Sequence, residues 1–195
     1  MKKSGEERFI CLGRELDVGL LEFWQWYASD LLTNSLRGVL AEFIVAKALG
    51  LEDSPRLEWD AYDLRDSSGL KIEVKSAAYL QTWQQKRPSR IIFSIAPTLG
   101  WDAQTNEYYS EPQRLADVYA FCLFSNKNKE SANPLCLDQW NFYVLSTAIL
   151  DEVMPTQKTL TLSSLEQLQP AQVDFDGLAA AIRQNTPKGS PPKES

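Results

Sequence analysis

The sequence predicts a single mixed α+β domain, in which a mixed sheet of about five strands, led by a β-hairpin, is flanked by helices. Two observations predict this fold class. Two helical patterns precede five short segments rich in Ile, Val, Tyr and Phe, and each of these segments is bounded by turn residues. The chain has 195 residues, of which 44% are hydrophobic, so a single sizeable core is available.

The elements are predicted from periodicity and from cap and turn residues. The first helix is expected from about Val18 to Leu32, with Asp17 as its N-cap, and the second from about Leu36 to Leu49, ended by Gly50. Strands are expected at about Ala61–Arg65, Leu70–Ala78 or further, Ile91–Ile95, Asp117–Phe124 and Trp140–Ser146. A short strand near Thr159–Leu162 and helices near Ser163–Leu168 and Asp176–Arg183 complete the prediction.

The domain organisation follows from the ends of the chain. Residues 1–185 carry apolar patterns without an interior linker, so we expect one domain over this range. Residues 186–195, TPKGSPPKES, have no apolar periodicity and are expected to be a disordered tail.

No apolar run approaches the ~20 residues that span a bilayer, and no signal-type segment follows the N-terminal lysines. We therefore expect a cytoplasmic protein without a membrane partner.

The residue types restrict the chemistry. The chain has no histidine, which excludes Ser-His-Asp and Cys-His catalysis and His-ligated zinc. The three cysteines are widely spaced and form no CxxC motif.

The net charge is −6, yet residues 71–90 carry five basic side chains against Glu73 alone. This contrast suggests a local anion site in an acidic protein, although a solvated loop of lysines explains it equally well.

Glu42 is a candidate site residue because its helical neighbours are apolar. The residues three and four positions away are Gly38, Val39, Val45 and Ala46. A carboxylate buried among them must be protonated, paired or bound to a cation. A salt bridge and a metal site are both compatible with this pattern.

The predicted hairpin brings two carboxylates together. Strand alternation places Ile72 and Val74 on one face and Glu73 and Lys75 on the other. The matching register sets Asp63 opposite Glu73, with Cβ atoms about 5 Å apart, where ionised carboxylates repel by roughly 3 kcal/mol. A divalent cation would turn this repulsion into attraction, and oxygen ligands without His or Cys favour Mg²⁺ or Mn²⁺. A solvated face of ordinary charges would explain the lysines but not this opposition.

Two further residues extend the predicted site along the same strand. Lys75 lies two residues beyond Glu73 on the same face, so its ammonium can reach a ligand held by the metal. If the strand continues, Gln81 shares that face and can contact a metal-bound water or a phosphate oxygen.

Glu42 in a helix, Asp63, and the Glu73-Val74-Lys75 element together resemble the PD-(D/E)xK nuclease superfamily, which has the restriction-endonuclease-like fold. The resemblance covers about residues 36–95. No proline precedes Asp60 or Asp63, and both aspartates fit the spacing. The face analysis favours Asp63, since Asp60 would need a bulge or a position at the start of the strand.

The resemblance implies a mechanism and a set of ligands. Asp63 (or Asp60), Glu73 and Glu42 would hold one or two Mg²⁺ or Mn²⁺ ions, and Lys75 would position or deprotonate the attacking water. Gln81 resembles the glutamine that some branches place after the lysine. Flanking phosphates would be bound by Lys86, Arg87 and Arg90, and a base would stack on Trp83, for which core or interface packing is the other interpretation.

These observations predict a metal-dependent endo- or exonuclease that acts on nucleic acid, with DNA as the expected substrate. The alternative is a PD-(D/E)xK-fold module with weak or no catalysis, used for binding or assembly with a protein partner. The overall acidity motivates this alternative, because strong nonspecific DNA binders are usually basic. An unrelated enzyme or a small-molecule binder, whose acidic cluster holds a sugar or a cation, is a third interpretation. A homodimer is also compatible with the sequence.

Overall fold

The structure, a computed structural model, describes residues 2–52, 62–102, 107–108 and 110–186. Asp60 and nearly all of the predicted tail lie outside these residues. In chain order the elements are β1 (Arg8–Cys11), β2 (Arg14–Gly19), α1 (Leu20–Ala28), α2 (Asn34–Leu49), β3 (Leu64–Arg65), β4 (Lys71–Ala78), β5 (Ile92–Ser94), β6 (Trp101–Asp102), β7 (Glu107–Tyr108), β8 (Val118–Phe124), β9 (Trp140–Ser146), α3 (Thr147–Val153), β10 (Thr159–Thr161), α4 (Leu162–Gln167), β11 (Ala171–Val173) and α5 (Phe175–Gln184).

A five-stranded mixed sheet forms the centre of the molecule, which confirms the predicted fold class. Its order is β11-β9-β8-β4-β3. Only β4 and β8 are parallel within it, and the other neighbours pair antiparallel. Strand β3 of the hairpin therefore lies at one edge of the sheet.

The sheet is buried on both faces by two separate apolar clusters. Ile72 and Val74 of β4 pack in the cluster that includes residues of α2 and α5. Ala77 of β4 packs instead with Tyr119 and Phe121 of β8 in the second cluster. Because successive side chains of a strand point to opposite faces, Glu73 and Lys75 lie on the same side of β4 as Ala77.

The predicted strand at Ile91–Ile95 does not join the central sheet. It is shortened to β5 and pairs antiparallel with β10. Ile91, Phe93 and Ile95 are buried in the second cluster, so their apolar alternation is satisfied by packing over the face of the sheet. The fifth position in the sheet is taken by β11, whose three residues were not predicted as a strand.

The N-terminal region also differs from the prediction. A hairpin, β1–β2, precedes the first helix, which begins at Leu20 with Gly19 as its N-cap, so the assignment of Asp17 is wrong. The hairpin turns at Leu12 and Gly13, whose φ values of 50° and 78° are those of a two-residue turn matched to strand twist. Leucine rarely adopts positive φ, and for that reason the turn leaves little signal in the sequence.

The second helix ends as predicted. The C-cap Gly50 has φ 73°, and its main-chain N–H donates to Ala46 and Lys47 carbonyls. None of the helices in the described parts of the chain is long and apolar enough to span a membrane.

Candidate active site

The β3–β4 hairpin positions the central carboxylates. Its register pairs Leu64 with Ile72 and Arg65 with Lys71, as predicted. The ladder ends at Leu64, and Asp63 precedes it, so no register pairing joins Asp63 to Glu73. The main-chain N–H of Asp63 donates to the Ile72 carbonyl at 3.1 Å, and Asp63 Oδ2 accepts the main-chain N–H of Val74 at 2.7 Å. One carboxylate oxygen of Asp63 is thus held against the backbone of β4.

Asp63 interacts electrostatically with three other predicted site residues. Burial, followed by repulsion from Glu73, raises the pKa of Asp63 from 3.8 to about 6. Glu42 adds a smaller raising effect on this pKa, whereas the Val74 N–H and the Lys75 ammonium act to lower it. Four of the predicted residues therefore share one electrostatic environment.

Lys75 is ion-paired with Glu73. Its Nζ donates to Glu73 Oε1, as expected for two residues on the same face of a strand. The side chains of Lys75 and Glu73 are 27% and 19% exposed, so a substrate can reach them. Without a bound cation, this ammonium is the positive charge that offsets the two neighbouring carboxylates.

The prediction that Glu42 is enclosed in an apolar face is wrong. Glu42 is half-buried on α2; Val45 and Ala46 beside it are buried, but Val39 is 42% exposed. The helix presents only part of this face to the sheet, and Glu42 lies at its border. From there its charge still influences the pKa of Asp63.

Gln81 lies beyond β4, which ends at Ala78, so the expected continuation of the strand is wrong. The Gln85 side chain stabilises a bend of the main chain here. Its Oε1 accepts the Gln81 main-chain N–H, and its Nε2 donates to the Tyr79 carbonyl. Gln81 is buried, with Nε2 3.3 Å from Ser89 Oγ. Its Oε1 atom has no hydrogen-bond partner among the described residues.

A basic cleft of about 690 Å³ follows directly after β4. It is lined by all four residues predicted to bind nucleic acid, Trp83, Lys86, Arg87 and Arg90, and also by Tyr79 and Lys127. Trp83 is 57% exposed, which excludes core packing for it. The cleft begins at Tyr79, the first residue after β4 and four residues beyond Lys75 in the chain.

Lys127 is a cleft residue that the sequence did not indicate. Its Nζ lies 4.3 Å from the centroid of the Tyr79 ring, a cation–π contact. The parallel pairing of β4 with β8 sets Ala78 beside Phe124, and this brings the segment after β8 next to the segment after β4. Residues so far apart in the chain give no local sequence signal of such proximity.

Tyr119 is a second residue that sequence analysis missed. It is the register partner of Glu73 on β8 and is 4% exposed. Burial and then the charge of Glu73 raise the pKa of its phenol, and the Arg114 guanidinium acts in the opposite direction. Arg114 is itself fully enclosed, with Nη1 2.6 Å from Asp151 Oδ1 and Nε 2.8 Å from the Ile95 carbonyl oxygen.

The candidate donors for a hard divalent ion at this site are the carboxylates of Asp63 and Glu73. Within the described ranges, no three Asp, Glu, Cys or His side chains are grouped closely enough to bind one ion. Asp63 and Glu73 provide two carboxylates, and Mg²⁺ is commonly bound by one or two carboxylates together with waters and substrate phosphates. The residues present therefore fit a substrate-completed Mg²⁺ site.

Two carboxylates beside a lysine, next to a cleft lined by cations and aromatic rings, are typical of nucleases. The chain belongs to the bacteriophage T4 endonuclease IV family, whose profile matches residues 21–164, more than half of its length. It is therefore a nuclease. The matched region includes Glu42, Asp63, Glu73, Lys75 and the basic cleft, whereas β1 and β2 precede it. No curated protein and no solved structure matches the chain.

Proposed function

We propose that this protein is a Mg²⁺- or Mn²⁺-dependent endonuclease of the PD-(D/E)xK type that hydrolyses phosphodiester bonds in DNA. The observation that carries the proposal is the buried Asp63 carboxylate, which accepts the Val74 main-chain N–H between the ion-paired Glu73 and Lys75. The family supports it, because the family is named after an endonuclease.

Asp63 and Glu73 would hold the ion, with half-buried Glu42 as a further contributor and Asp60 as the alternative to Asp63. When bound, the ion would lower the pKa of a water and stabilise charge on the phosphate. The hydrogen bond from Val74 fixes Oδ2 of Asp63, so the carboxylate is oriented before any ligand arrives. This orientation avoids the cost of ordering the side chain during the reaction.

Lys75 would act directly on the reacting groups. Its Nζ is held at Glu73 Oε1, and a phosphate placed beside Glu73 lies within reach of the same ammonium. Nζ can then donate a hydrogen bond to a phosphate oxygen or orient the attacking water. Gln81, buried after the end of β4, stays a candidate for contact with a phosphate rather than with the ion.

The basic cleft would bind the strand next to the scissile phosphate. Arg87, Arg90 and Lys86 are exposed cations that suit phosphate oxygens, and Trp83 offers an exposed ring for stacking on a base. The positive charge concentrated in this cleft would allow an acidic protein to bind DNA.

A cleavage assay with circular DNA tests this function. Covalently closed single- and double-stranded circles are incubated with the full chain in Mg²⁺, in Mn²⁺ and in EDTA, and a matched RNA serves for comparison. We expect DNA circles to be opened in the presence of either metal and to survive in EDTA. Binding to DNA without cleavage under any of these conditions would favour the binding module instead.

The carboxylate pair also predicts a metal-dependent gain in stability. Mg²⁺ or Mn²⁺ should raise the melting temperature of the wild type, because an ion that binds only the folded state stabilises it in proportion to the logarithm of its concentration over Kd. Asp63→Asn should reduce this rise, since one charged ligand is lost. Scanning fluorimetry over a metal titration measures both, and an undiminished rise in the variant would place the ion elsewhere.

The basic cleft predicts a defect in binding rather than in chemistry. The double variant Arg87→Ala/Arg90→Ala should weaken DNA binding at least about tenfold and lower the slope of log K against log salt by about 2, because two phosphate contacts are lost. KM should rise while kcat stays near the wild-type value. Arg183→Ala, an exposed arginine on α5, is the matched control. A kcat defect without a change in salt slope would contradict this role.

A further inference from the structure

The N-terminal unit, formed by β1, β2 and α1, exposes an unusual number of large apolar side chains. None of the nine residues of α1 is buried. The exposed set between residues 9 and 27 is Phe9, Ile10, Leu12, Leu16, Val18, Leu21, Phe23, Trp24, Trp26 and Tyr27. A nine-residue helix without a buried side chain gains little from tertiary packing, although such packing is the main source of helix stability.

The contacts that order this unit are largely internal. The main-chain N–H groups of Leu20 and Leu21 donate to the carbonyls of Glu7 and Gly5. The rings of Phe23 and Tyr27 stack on each other at 6.0 Å. The unit is therefore organised, but its apolar side chains are left facing solvent.

The exposed apolar area is large enough for a stable protein interface. With ten side chains between 37% and 96% exposed, and large apolar side chains presenting about 150–250 Å² each, the unit offers roughly 1,000 Å². A standard interface buries about 800 Å² per partner, whereas the largest apolar patch of a monomer is typically about 300–600 Å².

The charges on the N-terminal unit indicate which class of partner it can bind. Residues 2–28 carry four basic and five acidic side chains, a balance that attracts neither nucleic acid nor an anionic lipid surface. The signs alternate at the hairpin turn, where Arg14 is followed by Glu15, both exposed. Within the described part of the chain Arg14 forms no ion pair, so it can pair with the acidic residue of an identical hairpin.

The backbone of the hairpin favours the same partner. The β1–β2 sheet has two strands, so each strand has one edge outside its sheet. Two identical edges related by a twofold axis can pair antiparallel, so that the main-chain N–H and C=O groups of each edge form hydrogen bonds with the other. We propose that the N-terminal unit is a homodimerisation surface and that its occupant is the same unit of a second copy of this chain.

The mass of the full chain in solution tests this proposal. Sedimentation equilibrium over a wide range of concentrations should give twice the 22.1 kDa of one chain. Trp26→Glu and Ile10→Glu, made separately, should each raise the dimer dissociation constant at least about 100-fold, because each change occurs twice at a symmetric interface. Both side chains are largely exposed in the protomer, at 83% and 70%, so unchanged circular dichroism and melting of each protomer are expected.

Leu135→Glu is the matched control, because Leu135 is 67% exposed and lies far along the chain from this unit. It should leave the dimer intact. A wild-type monomer at every concentration, including one that captures a different protein, would overturn the proposal. Dimers that persist in both N-terminal variants would also overturn it. DNA cleavage is measured in parallel, so failure of the dimer and failure of the proposed activity are distinguishable.

Cys11 provides a second, independent measurement. It is exposed in the protomer, at the β1 position paired with Arg14. Cys11 of the wild-type dimer should be alkylated more slowly than Cys11 of the Trp26→Glu variant. The alkylation rate of half-buried Cys136 serves as the internal reference. Equal alkylation rates for Cys11 in the two proteins would overturn the placement of the hairpin in the interface.

Discussion

Replacing Lys75 with alanine should lower the rate of DNA cleavage by roughly 100- to 10,000-fold. The ammonium is ion-paired with Glu73 and is 27% exposed, so it is within reach of a phosphate bound beside that carboxylate. A hydrogen bond donated to charge that develops in the transition state affects kcat more than substrate binding. We therefore expect the loss in kcat, with KM close to that of the wild type.

Two controls separate this effect from loss of folding or of charge. Lys158→Ala removes an exposed lysine outside the site and should cleave DNA at the wild-type rate. Lys75→Arg keeps the positive charge but replaces a compact donor with a planar one, and it should recover only part of the rate. Thermal unfolding of each variant verifies the fold. If Lys75→Ala cleaves as fast as Lys158→Ala, the ammonium has no role in the reaction.

Asp63→Asn should abolish metal-dependent cleavage and yet stabilise the metal-free protein at neutral pH. The pKa of Asp63 is raised to about 6 by burial and by repulsion from Glu73, so the folded protein favours the protonated carboxyl. An asparagine is neutral at every pH, and its amide oxygen can still accept the Val74 N–H. A shift of about 2 pKa units corresponds to up to about 3 kcal/mol.

The pH dependence of this effect has a definite sign. Since the folded pKa of Asp63 lies above the unfolded value of 3.8, its contribution to stability is fully present below pH 3.8 and is lost as pH rises through about 6. Over this window the free energy of unfolding of the wild type should fall relative to that of Asp63→Asn. Urea unfolding in EDTA at several pH values measures the difference. Asp138→Asn, an exposed aspartate, is the control, and parallel profiles for wild type and Asp63→Asn would contradict the prediction.

The local parts of the site could be predicted from the sequence. Alternation of apolar and charged residues in Lys71–Lys75 defines the two faces of β4, and the turn chemistry of Asp66–Gly69 sets the register that pairs Leu64 with Ile72. The predicted opposition of Asp63 and Glu73 lies beyond the pairs of this register and stays a prediction. These are short-range relations, which depend on a strand period of two and on the geometry of a tight turn. The basic segment after β4 was likewise visible, since its members are close in the chain.

The limits of prediction have equally specific causes. Glu42 was expected to be buried because helical spacing identifies its neighbours, but spacing does not say how far the sheet covers a helix. Gln81 was expected to share the face of Lys75, but side-chain hydrogen bonds from Gln85 turn the chain away after Ala78. Strands β1 and β2 were not predicted, because the leucine at the turn between them gives no turn signal. Asp60 lies outside the described residues, so its role stays a prediction.

The sequence by itself determined the fold class and the pairing of Leu64 with Ile72 in the hairpin, because local periodicity and turn geometry control these features. Only the tertiary structure decided the sheet order, the contact of Lys127 with Tyr79, the position of Tyr119 beside Glu73 and the exposure of the N-terminal unit. These features depend on which strands become neighbours and on which faces are covered. Both are decided by packing between segments distant in the chain, and no local pattern encodes them.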